Sequence, residues 1–245
     1  MKEKKSLLNP VQKFYGADPR ELPLYGLSQT ARHLKLPVAT LRSWSKGRNY
    51  PVEGGSRFFN PVLKLPDPQV PLLSFFNLVE AHVLSGIRRS EKVPFAKVRR
   101  ALAYLESAFP AAHPLADYQF QTDGVDLFVE RLGALIAVSQ AGQIGIKEVL
   151  KNYLRRIERD VELKPFKLYP FVRPALQTAE PRPIVIDPLV SFGRPVLAGT
   201  GVPTEVIAER FQAGDSAVAL ARDYGITCEQ VEAALSYEAP ARAAA

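Results

Sequence analysis

Residues 182–237 read RPIVIDPLVSFGRPVLAGTGVPTEVIAERFQAGDSAVALARDYGITCEQVEAALSY, and this stretch decides the architecture. Residues 184–186 form a β-branched run closed by Asp187 and Pro188, which reads as a strand ending in a turn, with residues 195–197 as its pairing partner. Gly199, Thr200, Gly201 and Pro203 then punctuate the chain. Three short helices follow. Pro203 suits the first position of a helix that reaches Ala213 and stops at Gly214. Asp215 and Ser216 cap a second helix that Gly225 ends. Thr227 with Gln230 makes a capping box for a third helix from Cys228 to Glu238.

Upstream, residues 25–48 read YGLSQTARHLKLPVATLRSWSKGR. Ser28 serves as N-cap for a helix to Leu34, Leu36 and Pro37 make a turn, and a second helix runs from Pro37 to Lys46. Leu27, Ala31, Leu34, Val38 and Leu41 are spaced to face one core, so the pair is a helix-turn-helix. Its outward positions are Ala39, Thr40, Arg42, Ser43 and Lys46. An arginine among small polar residues suits the major groove, where Arg forks onto guanine and Ser or Thr reaches phosphate or base. Between Glu21 and Glu53 there is no acid, while Arg32, Lys35, Arg42, Lys46 and Arg48 contribute five positive charges. A phosphate-facing surface requires such an acid-free window; a solvated basic face of a helical hairpin is the alternative. The candidate DNA contacts are Ser28, Gln29, Arg32, Ala39, Thr40, Arg42, Ser43, Lys46, Arg48 and Arg57.

Composition supports a division of labour. The 245 residues suit two or three small domains, and 47% hydrophobic residues supply real cores. Residues 1–181 carry 27 Lys and Arg against 17 Asp and Glu, and residues 182–245 carry 5 against 8. The basic part fits a polyanion; the acidic module fits a protein. Cys228, the one cysteine, excludes a disulfide framework and reads as a small core filler. His33, His82 and His113 lack zinc-site spacing, and no nucleophile elbow, Walker loop or dinucleotide fingerprint occurs. The reading is therefore of a non-catalytic, cytoplasmic chain with no metal or cofactor and no membrane span.

Between the two modules, residues 74–89 and 93–105 read as a helix pair, with Phe75, Phe76, Val79, Val83 and Ile87 as a core stripe. Arg88, Arg89, Lys92, Lys97, Arg99 and Arg100 make a second basic cluster, either an extension of the DNA surface or a solvated face. Residues 118–129 alternate around Asp123-Gly124 and read as a β-hairpin, with residues 135–138 as a third strand. Residues 146–161 read as one amphipathic helix. The expected layout is a flexible arm (1–20), a winged helix-turn-helix (21–109), a small α+β segment (110–173), a linker (174–183), a three-helix module (184–238) and a disordered tail (239–245). The fold class is mainly α with small β-hairpins.

Two resemblances sharpen this reading. The order of residues 184–188, Gly199 to Pro203, the helix ending in Ala213-Gly214 and residues 220–224 resembles the antitoxin-associated domain of type II toxin–antitoxin operons. That resemblance implies a VapB-type antitoxin whose partner is a PIN-like ribonuclease toxin. Thr40-Leu41-Arg42-Ser43-Trp44, with Arg57-Phe58-Phe59 returning from a wing, resembles the MerR-type winged helix-turn-helix. It departs from that pattern at Lys35, where glycine is usual, and at Ser43, where an aromatic is usual. The implied function is neutralisation of the toxin by direct binding, with autoregulation through operator DNA. The alternative is a free-standing DNA-binding regulator whose C-terminal module dimerises. The module holds more large apolar residues than it can bury, so Arg210, Phe211, Tyr224 and Tyr237 are the candidate toxin or homodimer surface.

Overall fold

The computed structural model describes residues 16–52, 54–89, 93–136, 140–172 and 181–239. The chain enters through a 3₁₀ turn at Pro19–Glu21 and a short strand β1 (Tyr25–Gly26). Helices α1 (Leu27–His33) and α2 (Val38–Lys46) form the helix-turn-helix. Strands β2 (Arg48–Val52) and β3 (Gly55–Phe59) pair antiparallel as its wing, in a register that sets Arg48 opposite Phe59 and Tyr50 opposite Arg57. Strand β4 (Leu72–Leu73) returns to pair with β1. Then come α3 (Phe75–Arg89), α4 (Phe95–Ala108), α5 (Val125–Ile136), α6 (Gln140–Leu154) and the hairpin β5 (Ile157–Arg159) with β6 (Pro165–Leu168). The last module pairs β7 (Ile184–Val185) with β8 (Val196–Leu197) and adds α7 (Thr204–Gln212), α8 (Ala217–Tyr224) and α9 (Cys228–Glu238). Among the described residues every sheet is a two-stranded antiparallel pair, so the fold is mainly helical with small β-hairpins.

The C-terminal module follows its punctuation closely. Ser216 caps α8 by accepting from Ala219 N, Gly225 ends it in the left-handed region, and Thr227 and Gln230 complete the capping box of α9. The expected stripe of α3 is fully in the core, where Phe75, Phe76, Val79, Val83 and Ile87 are buried.

Other segments depart from expectation. Residues 118–136 are helical, not a hairpin: Phe120–Gly124 form a π-helical turn that runs directly into α5. The alternation also satisfies a helix, because Phe120, Val125, Phe128, Val129 and Leu132 all reach one buried face. Gly124 sits where a Cβ would lie 3.0 Å from the Phe120 ring and 3.3 Å from Leu105, so it is a close-packing residue and not a turn residue. The expected third strand begins inside α5, and residues 137–139 lie outside the described residues. The helix expected over 146–161 ends at Leu154, and Ile157 is buried from a strand instead. Cys228 is exposed, not a core filler, because the first turn of α9 faces water. The arm is tied down from Asp18 onward. Arg20 donates to Asp18 and, at 2.5 Å, to Asp160, and lies over the Phe76 ring. Nearby, His113 bridges Glu80 (2.9 Å) and Glu21 (3.2 Å); burial opposes its charge, but the two carboxylates outweigh burial and raise its pKa. Residues 1–15 of the arm, 173–180 of the linker and 240–245 of the tail lie outside the described residues.

One core runs from Tyr25 through α6 and includes Ile186; a second lies among Ile184, Leu197, Ile207, Leu220, Val231, Ala234 and Tyr237. The two are stitched together, since Leu168 of β6 and Ile186 exchange both backbone hydrogen bonds, at 3.0 and 2.8 Å.

Gly86 marks where α3 crosses α6. A Cβ there would meet the Tyr153 ring at 2.8 Å, and that ring is fixed by Arg89 on its hydroxyl (2.6 Å) and by packing on His82 and Phe171. Alanine has the better helix propensity by about 1 kcal/mol, but overpacking costs about 1–3 kcal/mol. Gly86→Ala is therefore expected to lower stability by up to about 2 kcal/mol in chemical denaturation.

Candidate nucleic-acid interface

The second helix of the pair, α2, is fixed from its buried side. Trp44 stacks on Phe95 of α4 at 5.6 Å, and its carbonyl accepts from Val62 N (2.8 Å) and Leu63 N (3.0 Å) beyond the wing. Ser45 bonds back to the Leu41 carbonyl at 2.9 Å. Leu41 and Trp44 thus point inward, which leaves Ala39, Arg42 and Lys46 exposed and Ser43 half-buried. Thr40, expected outward, is buried at 9% exposure. It still lines the cleft that this helix forms with the wing and α4, beside Ala39 and Ser43.

Gly47 turns the chain from α2 into the wing with φ 73°; a Cβ there would overlap the Phe59 carbonyl. Alternation along the two strands then puts Arg48, Tyr50, Arg57 and Phe59 on one face, with Tyr50 stacked on Phe59 at 3.9 Å. A cleft between α2, the wing and α4 is lined by Ala39, Thr40, Ser43, Arg48, Arg88 and Arg99, with Trp44, Phe59 and Phe95 as its apolar walls. Among the described residues no carboxylate lines it. The Arg99 guanidinium is sandwiched between Phe59 and Phe95, each at 5.1 Å, and donates to the carbonyls of Asn60 and Ser43. Burial first, and then the charge of Arg48, lower its pKa: two cations face one cleft. A cleft of that kind attracts a backbone phosphate.

The structure therefore gathers Ala39, Ser43 and Arg48 into one surface, and Arg42, Lys46 and Arg57 are exposed on the same helix and wing. It adds Arg88 and Arg99 from the second basic cluster, while Arg89 turns inward to the carbonyls of Leu34 and Lys35 (3.1 Å each). The first helix is different. Ser28 does not cap it: Gly26, extended and paired in β1, stands at that position, so the cap of α1 lies two residues before its polar signal. Ser28 is exposed and Gln29 half-buried. Arg32 points toward Glu205 (3.9 Å) and Glu238 (3.8 Å) of the C-terminal module.

That contact belongs to a seam. Tyr237, expected on an outer surface, is 1% exposed and stacks on His33 at 6.0 Å, with its hydroxyl on the His33 carbonyl. Lys35 adopts φ 52°, the left-handed conformation that glycine usually supplies, and its ammonium reaches the carbonyls of Tyr237 and Ala239 at the end of α9. Gly193 lies so close to Tyr25 that a Cβ would overlap the hydroxyl. Of the other expected surface residues, Arg210 is engaged by Asp215 (2.6 Å) and Asp223 (2.8 Å), Tyr224 is half-buried beneath it, and Phe211 is exposed.

This geometry defines a winged helix-turn-helix protein with a helical module docked behind its first helix. Residues 23–102 match a family described as "Putative DNA-binding HTH domain", and residues 184–237 match one described as a protein of unknown function, DUF433. The chain is 31% identical over 233 residues to "Putative antitoxin VapB45" of Mycobacterium tuberculosis, covering 88% of this chain and 93% of that protein. It belongs to this VapB-type antitoxin family. It is also 27% identical to the uncharacterized protein Rv2308 of the same organism, over 87% of this chain and 89% of that one. The crystal structure of Rv2018 from Mycobacterium tuberculosis superposes with TM-score 0.62 at 26% identity, over 88% of this chain and 98% of that chain. Among the described residues no cluster of three or more His, Cys, Asp or Glu is placed to hold a metal, and no helix is long and apolar enough to cross a membrane.

The seam gives a pH dependence. Burial, and then Arg32 and Lys35, pull the His33 pKa from 6.5 down to about 3, and neither ring nitrogen has a hydrogen-bond partner. Burial also takes buried His82 down to about 3. A histidine held neutral stabilises the fold fully above its unfolded pKa, and the contribution is lost as pH falls below it, at about 1.4 kcal/mol per pH unit. His33→Phe keeps the stacking surface and removes one such group. It is expected to reduce the loss of stability between pH 6.5 and about pH 5 by about 1.4 kcal/mol per unit, with little change at neutral pH, as read by urea titration.

Proposed function

We propose that this chain neutralises a PIN-like ribonuclease toxin by direct binding and represses its own operon by binding operator DNA. The observation that carries the DNA half is the cleft in which Arg48, Arg88 and Arg99 meet helix α2, with no carboxylate among its described lining residues. Arg42 and Lys46 stand exposed beside it. In this reading α2 enters the major groove, Arg42 reads a base edge, and the cleft and the wing arginines hold the phosphates on either side. Residues 21–109 form the DNA-binding unit and residues 184–238 the toxin-binding unit. Relatedness to an antitoxin supports the toxin half, as does the charge of the C-terminal module, whose excess of acids disfavours phosphate. The seam connects the halves: the face of α1 away from α2 carries the module.

Two measurements test this. On DNA from upstream of its own gene, Arg42→Ala is expected to cost about 1–3 kcal/mol and to relax specificity at one base pair. Lys46→Ala or Arg48→Ala should weaken binding to all sequences alike and make the salt slope shallower by about one unit. An affinity unchanged by Arg42→Ala removes α2 from the groove. For the toxin half, co-expression of the full chain should restore growth to cells expressing the PIN-like nuclease of the adjacent reading frame. Failure to do so favours a free-standing regulator.

A further inference from the structure

The turn of residues 187–194 is built to hold two apolar side chains in water. Its base is rigid. Asp187 is buried and accepts from Leu189 N at 2.8 Å through its carboxylate and from Val190 N at 3.0 Å through its carbonyl. Gly193 N closes on the Val190 carbonyl at 2.9 Å, Arg194 Nε on the Ser191 carbonyl at 3.2 Å, and Ser191 Oγ on the Gly201 carbonyl at 3.4 Å. Gly193 (φ 74°) is pressed against Tyr25, which anchors the turn to the N-terminal domain.

On this base, Ser191 and Phe192 both adopt the left-handed conformation, with φ 48° and 56°. Bulky residues reach that region only against steric resistance. Phe192 nevertheless stands 86% exposed and Leu189 75% exposed, so neither gains burial within the chain. Glycine would relieve the backbone and a polar residue would suit the solvent; an aromatic in this place is explained by a partner that covers it. Arg194 is the one charge between residues 188 and 204, on a module that is otherwise acidic. A single cation in an acidic module disfavours a polyanion and complements one carboxylate.

We propose that Leu189 and Phe192 form a preorganised apolar tip that inserts into a pocket of the ribonuclease partner, with Arg194 meeting a carboxylate at the pocket rim. This rests on the antitoxin reading given above and places the contact on this turn in preference to the face around Phe211. The rigid base lets the anchors bind with little ordering cost, the usual property of a central interface residue.

The test uses the full-length chain and the purified PIN-like ribonuclease of the adjacent reading frame. The double variant Leu189→Ser/Phe192→Ser should weaken binding by at least about 30-fold, whereas Phe211→Ser should change it by less than about threefold. Both altered side chains are exposed, so melting temperature and operator affinity should hold. Phe192→Gly gives an independent reading: it should raise the melting temperature by relieving the left-handed backbone, yet weaken binding about tenfold or more. Binding by the double variant within about threefold of wild type overturns the assignment while leaving the antitoxin reading intact. So does a wild-type chain that self-associates through this turn, with a monomeric double variant that still binds the ribonuclease. If the wild-type chain neither binds nor inhibits the ribonuclease, the antitoxin reading falls, and this assignment with it.

Discussion

Burial of the single tryptophan governs the helix-turn-helix half of the molecule. Trp44 is 1% exposed, pressed on Phe95, and its carbonyl holds the chain that leaves the wing. Full burial of so large a ring contributes several kcal/mol, more than the hydrogen bonds around it together offer. Because the indole must point inward, the rotation of α2 about its axis is settled. Arg42 and Lys46 are then outward and Thr40 is not. The wing has no comparable core of its own; its alignment comes from Gly47, from the Tyr50–Phe59 stack and from Arg99 between two rings. Arg99 thus acts twice, as a brace between α4 and the wing and as a cation in the cleft.

The second organising contact is the seam between α1 and the C-terminal module. Its polar side is uneven. Lys35 offsets its backbone strain by placing an ammonium where the carbonyls at the end of α9 concentrate negative potential. By contrast the Tyr25 hydroxyl, Thr30 Oγ1 and both His33 nitrogens are buried without partners. Such groups make a junction specific in shape but modest in strength, since each forfeits its hydration. A module held this way keeps a fixed orientation toward α2 at low net cost of release.

Much of the architecture was legible in the residues, and the errors fall where one local signal stood alone. Elements bounded by backbone chemistry were placed within a residue or two: the cap at Ser216, the box at Thr227, the glycines that end α7 and α8, and Pro37 before α2. Periodicity, and a lone turn or cap signal such as Asp123-Gly124 or Ser28, were vulnerable. The segment around Asp123-Gly124 satisfies both a strand and a helix pattern, and contact with α4 through Gly124 decided for the helix. Leu154 has no stop signal after it, so α6 was drawn too long. For the candidate site, Arg42 and Lys46 were readable from helix phase. Thr40 and Tyr237 were not, because their burial depends on elements far away in the chain. Arg88 and Arg99 were visible only as charges, and their arrival beside Arg48 is a product of tertiary packing. The turn at residues 187–194 was signalled by Asp187, Pro188 and its glycine, but not the role of its apolar side chains, since exposure of an aromatic is not a property of sequence.

The closeness of Gly193 to Tyr25 bears on how such chains diversify. The two regions match separate families, as though they were interchangeable parts. Yet a side chain at 193 would collide with the tyrosine, and a different ring at 237 would lose its neighbour at His33. A C-terminal module exchanged by recombination must therefore arrive with a compatible first helix, or lose its footing.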